Sequence, residues 1–169
     1  MKRFLIRLFK ENKLQLVDPS IEISDSYSEK SESNLISSKI LFENERLEES
    51  VSLIYYSMYN LVLSLLFRIG IKSENHSASI ILLKEIFNFD NSLINEAKVE
   101  RIDKQYYTDF RITKKEVEQG ILNAEGFNGN LKAFVSELKK SDTDIYGNKL
   151  KEIICKNKSS VLSEDHTEH

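Results

Sequence analysis

The chain has 169 residues, enough for one domain with a sizeable core. Charged residues make up 30% and hydrophobic ones 40%, and only five glycines and one proline punctuate them; that pattern argues for helices joined by short turns and against a sheet. A net charge of −3 excludes a global attraction to nucleic acid or anionic lipid, so any such contact must come from a local patch.

The chain opens MKRFLIRLFKENK. Arg7 and Lys10 interrupt the apolar run and no small-residue cleavage site follows, so it does not read as a secretory signal. Phe4, Leu5, Leu8 and Phe9 share one helical face, which packs on the domain itself or rests on a membrane surface or nucleic acid. Residues 1–24 form this basic amphipathic segment, residues 25–140 a helical bundle, and residues 141–169 a C-terminal extension. The first long helix is expected from about Ser26 to Phe42, with Leu35, Ile36, Lys39 and Ile40 as a buried stripe. The second is expected from about Glu45 to Ile69, with Glu48 and Glu49 suiting its dipole and Gly70 its end. KSEN then leads to a third helix from Ser77 to Phe87. Asp90 or Asn91 caps a fourth that reaches about Tyr107, and Thr113 with Glu116 opens a fifth through a capping box. Leu131–Leu138 and Tyr146–Cys155 add further apolar faces before a tail that reads as disordered. The lone Cys155 excludes an internal disulfide and a cysteine-based metal cluster, and suits a reduced, cytosolic compartment.

The stretch SLIYYSMYNLVLSLLFRIGI, Ser52–Ile71, carries one charge, Arg68. A membrane span needs about 20 consecutive apolar residues, and three serines, an asparagine and three tyrosines here favour a buried core helix. Its polar residues Ser50, Ser57, Asn60, Ser64 and Arg68 share one face. That face either lets a neighbouring helix approach closely or borders a polar cleft.

Four pieces, NKLQLVDPS, IYYSMYN, GIKSENHS and RIDKQYYTDFRITKKEVEQGILNAEGF, occur in an order and spacing that resemble the HEPN family over Asn12 to Leu138. The resemblance implies an all-α, up-and-down antiparallel four-helix bundle with an additional C-terminal helix. It also implies a homodimer that works with a nucleotidyltransferase partner, often as a toxin–antitoxin pair. Many members are metal-independent ribonucleases with an Arg-x(4–6)-His motif. Arg101 matches the arginine, but Tyr106 and Tyr107 stand where the histidine is expected. The narrower subgroup carries Arg-x-x-Ala-Asp-Tyr; here Gln105 replaces the aspartate, and Leu63 replaces an arginine common in the second helix.

Metal-free RNA cleavage needs a base for the 2′-hydroxyl and a donor to the phosphate; histidine and arginine suit these tasks. Arg101, Tyr106 and His76 are therefore the candidate catalytic residues, and Arg101, Gln105, Asn60 and Ser64 the candidate phosphate contacts. Tyr106 is a poor base because phenols titrate near about 10. His76 could act as a substitute base or cap the third helix, and Arg101 could instead form a surface salt bridge with Glu96 or Asp103. Tyr56 and Tyr59 read as core or dimer-interface residues, and Tyr55 has no clear place. No metal and no cofactor is expected. Three readings follow: a nucleotide- or RNA-binding accessory protein with weakened or lost nuclease activity, a ribonuclease toxin, and a structural interaction module.

Overall fold

A computed structural model describes residues 1–106 and 111–155, with the side chains of residues 103–106 outside that description. The described residues are all-α apart from one small ribbon: α1 (Lys2–Lys10), β1 (Leu14–Leu16), α2 (Ile21–Glu43), α3 (Leu47–Arg68), β2 (Ile71–Ser73), α4 (His76–Phe87), α5 (Ser92–Tyr106), α6 (Lys114–Glu137) and α7 (Lys140–Cys155).

α3 is the hub. Fourteen of its 22 residues are buried, and α2, α4, α5 and α6 all pack on it. By length and composition it could cross a membrane, but 78% of its apolar window is buried inside the protein, so its apolar surface is already covered by other helices. α2 runs antiparallel to it, since Ser24 near the start of α2 meets Ser64 near the end of α3. α6 runs antiparallel to α2, tied by the ion pairs Lys39–Glu125 and Glu32–Lys132.

The α2–α3 contact corrects one expectation. Ile36 and Ile40 are each 53% exposed, not buried. The buried face of α2 is Ser24, Ser31 and Ser38, seven residues apart, facing Ser64, Ser57 and Ser50 at the same spacing on α3. Small side chains let the two axes approach closely, and most of the hydroxyls are satisfied at the seam. Ser24 and Ser64 share a hydrogen bond of 3.0 Å, Ser50 donates to the Ser38 carbonyl at 2.8 Å, and Asn128 of α6 donates to Ser57 at 2.7 Å. The shared polar face of α3 is thus a packing surface at these three serines. Ser57→Leu should overpack the seam and cost about 1–3 kcal/mol, read as a lower urea midpoint, whereas Ser31→Ala, removing a buried hydroxyl with no partner among the described residues, should be neutral within about 0.5 kcal/mol.

A sheet was not expected, yet β1 and β2 pair antiparallel with Leu14 opposite Ser73 and Leu16 opposite Ile71. Three-residue strands are too short to leave a period-two pattern. The ribbon ties the N-terminal segment to the α3–α4 connection, and Glu74 N–H donates to the Lys13 carbonyl at 2.8 Å. The apolar face of α1 packs inward through Leu5 and Leu8, with α7 as its neighbour. α2 starts at Ile21, earlier than expected, because Ser20 caps it by accepting from Ile23 N–H at 3.2 Å. Thr113 and Glu116 form the anticipated capping box, and α6 then continues unbroken through Gly126 to Glu137.

Candidate functional site

Three elements meet beside the ribbon. α3 contributes Tyr55, Tyr56 and Tyr59, α4 its first residues, and α5 Lys98 and Arg101. α4 begins at His76 because Asn75, in extended conformation, caps it by accepting from Ala78 N–H at 3.0 Å. Asn75, rather than His76, is therefore the helix cap, and the imidazole is left to contact α3.

It does so closely. His76 stacks on Tyr59 with ring centroids 3.9 Å apart, and its Nδ1 lies 2.6 Å from the Tyr55 hydroxyl. The Arg101 guanidinium sits 5.1 Å from the Tyr55 ring centroid and 5.6 Å from that of Tyr56, a cation on an aromatic platform; its Nη1 also reaches the Tyr56 hydroxyl at 3.5 Å. One turn earlier on the same face of α5, Lys98 donates to the Ser77 hydroxyl at 2.6 Å. Tyr59 and Ser79 hydroxyls lie 3.4 Å apart.

The electrostatics follow from burial and from the two cations. Burial raises the Tyr55 phenol well above its ordinary value, with Tyr59 and Tyr56 adding to the rise and Arg101 opposing it. Tyr59 is likewise raised by burial. His76 is pushed down by burial first, then by Arg101 and Lys98, and Lys98 is pushed down by burial and by Arg101. The site is thus a half-buried, positively charged patch on neutral phenols.

The histidine tautomer can be read from these contacts. Tyr55 is fully buried, its raised pKa keeps it protonated, and among the described residues its hydroxyl has no acceptor other than His76 Nδ1. A buried O–H needs an acceptor, so Tyr55 donates and the imidazole proton sits on Nε2. Neutral His76 therefore offers a donor at Nε2, alongside the ammonium of Lys98 and the fork of Arg101. Donors of these three kinds in one neighbourhood suit a phosphate. The same tautomer lacks the Nε2 lone pair that a general base would use.

Of the residues singled out from the sequence, the structure brings Arg101 and His76 together. Ser64 is turned to α2 and bonded to Ser24, while Asn60 is buried on α3; no hydrogen bond joins either to His76 or Lys98 among the described residues. The side chains of Gln105 and Tyr106, and that of Asp103, lie outside the described residues. Lys98, Ser77 and Tyr55 are additions. The spacing of Lys98 three residues before Arg101, and of Tyr55 four before Tyr59, are the signals that place them on these faces. Tyr56 and Tyr59, read as core or interface residues, form the aromatic platform with Tyr55. No group of three or more histidine, cysteine or carboxylate side chains able to hold a metal occurs among the described residues.

A family model described as the HEPN domain matches residues 24–134, which include every residue of this cluster. A UPF0332 protein of Pyrococcus horikoshii is 32% identical over 92 residues, which cover 54% of this chain and 61% of that protein. The chain therefore spans less than two thirds of the length of this curated relative.

Proposed function

This chain belongs to the HEPN domain family, and from that footing we propose that it binds the phosphates of a nucleotide or of RNA at the α3–α4–α5 junction. It serves as an accessory protein to a nucleotidyltransferase in a toxin–antitoxin-like pair, acting as a homodimer. The observation that carries the reading is the placing of two cations, Arg101 and Lys98, near His76 and beside a tyrosine platform. Phosphate oxygens accept from such donors, and the Arg101 guanidinium plane beside the partly exposed Tyr56 is of the kind on which a base stacks. Lys98 is the most informative variant. Binding of a short single-stranded RNA by Lys98→Ala, followed by fluorescence anisotropy over a salt series, should be weaker than wild type. The slope of log K against log salt should flatten by about 0.7, the value for one phosphate no longer neutralised. An unchanged slope removes Lys98 from the site.

The ribonuclease reading rests on His76, which stands beside two cations. In that reaction Nε2 takes the 2′-hydroxyl proton, the 2′-oxygen forms a bond to phosphorus, the P–O5′ bond breaks, and Lys98 protonates the departing 5′-oxygen. Arg101 stabilises the phosphorane charge. It requires His76 to hold its proton on Nδ1, against the Tyr55 hydrogen bond. Purified protein incubated with RNA in EDTA should therefore leave the RNA intact or cleave it slowly. Fast, EDTA-resistant cleavage abolished by His76→Gln would make the protein a nuclease.

A further inference from the structure

Arg68 closes the polar face of α3, one turn beyond Ser64. It lies nine residues beyond Tyr59 on the same helix, and at about 100° per residue it leaves α3 on the opposite side. There it lines a groove of ≈ 570 Å³ between the end of α3, the start of α2 and the start of α7. Lys139 and Lys140 line the same groove, with Pro19, Ile21 and Leu138 as its apolar part and Asp144 as its one acid. None of the three cations has an ion-pair partner among the described residues. Arg68 is partly buried and lines the groove, as a long cationic side chain does when it lays its stem on the protein. Asp144, the groove's one carboxylate, is not paired with it. Ile21 is 62% exposed, leaving a large aliphatic surface beside the cations.

We propose that this groove is a second ligand site, separate from the tyrosine cluster, for a small phosphorylated molecule with an apolar or ring portion. The volume is that of a pocket for one such molecule, about 300–1,000 Å³. Two lysines and an arginine against one aspartate give a local excess of positive charge in a chain of net charge −3. The guanidinium presents a planar fork to a phosphate while the lysines act as point charges. The ring portion covers Ile21 and Leu138, removing from water the apolar surface that the fold leaves exposed.

The test uses the full chain and two probes, inorganic pyrophosphate and ADP, followed by backbone amide shifts and titration calorimetry. ADP should shift the amides of Ile21, Arg68 and Lys140 in wild type and equally in Arg101→Ala, and should bind there more tightly than pyrophosphate. Arg68→Gln and, separately, Lys139→Glu should weaken this binding at least tenfold while leaving shifts around His76 in place. Lys139 is exposed, so its substitution leaves the fold intact if that of Arg68 does not. Shifts confined to residues around His76, or ADP affinity at the groove unchanged in Lys139→Glu, overturn the proposal.

Discussion

Arg101→Ala should lower the affinity for ATP or a short single-stranded RNA by roughly ten- to a hundredfold. A hydrogen bond from a charged donor contributes about 1.5–3 kcal/mol, and each 1.4 kcal/mol is about a factor of ten. The side chain is placed for this role by its platform, with the guanidinium over both Tyr55 and Tyr56. That platform also decides the conservative variant. Arg101→Lys keeps the charge but loses the planar fork that stacks on the rings and binds two phosphate oxygens at once, so it should recover only part of the affinity. Amide shifts around His76 during a titration with ATP report affinity at this cluster and separate these outcomes. Wild-type affinity in Arg101→Ala would leave the cluster as packing alone and favour the structural-module reading.

The largest loss of stability should come from Gly70→Ala. Gly70 has φ +80, and a Cβ built there would lie 2.4 Å from the Val17 carbonyl oxygen, so the backbone of a neighbouring segment must move. Two hydrogen bonds hold that segment against the end of α3: Val17 N–H donates to the Gly70 carbonyl at 2.9 Å, and Ser20 N–H to the Phe67 carbonyl at 3.0 Å. Left-handed strain alone costs about 1–3 kcal/mol, and displacing the ribbon adds to it, so a loss of more than about 2 kcal/mol is expected. Gly126 is the control. An added Cβ there meets nothing within 4 Å, and it lies inside α6, so Gly126→Ala should stabilise by up to about 1 kcal/mol. Urea unfolding of the two variants should move in opposite directions. Because Gly70 leads directly into β2 and from there to His76, Gly70→Ala should also disturb the tyrosine cluster, seen as altered His76 resonances.

The helices, the capping box at Thr113 and the stop at Gly70 were legible because each depends on local chemistry within one turn. The buried face of α2 was not. Apolar spacing pointed to Ile36 and Ile40, but close approach to α3 selects for small side chains, and serines at seven-residue intervals carry no hydrophobic signal. The ribbon escaped notice because its strands are three residues each. Arg101 and His76 stood out through the resemblance, while Lys98 did not, since a lysine on a helix with mixed charges reads as a solvated side chain. Only the meeting of α5 with the first turn of α4 turns Lys98 toward Ser77. Tyr55 was unplaceable for the same reason: its partner lies 21 residues away across a turn.

The pH behaviour of His76 links fold and function. Its folded pKa is depressed, so the neutral ring contributes stability above the unfolded value of about 6.5, and that contribution is lost as pH falls through the lower folded value. Two of the three causes of that depression are the positive charges of Arg101 and Lys98. A phosphate bound between these groups offsets both charges and must raise the pKa of His76, so binding takes up protons in mildly acidic buffer. The decisive measurement is an NMR titration of the His76 ring, identified by its absence in His76→Gln, with and without saturating ADP. The midpoint should lie below about 6.5 in the free protein and move upward with ADP in wild type but not in Arg101→Ala. A midpoint that ADP leaves unmoved in wild type would contradict phosphate binding at this cluster.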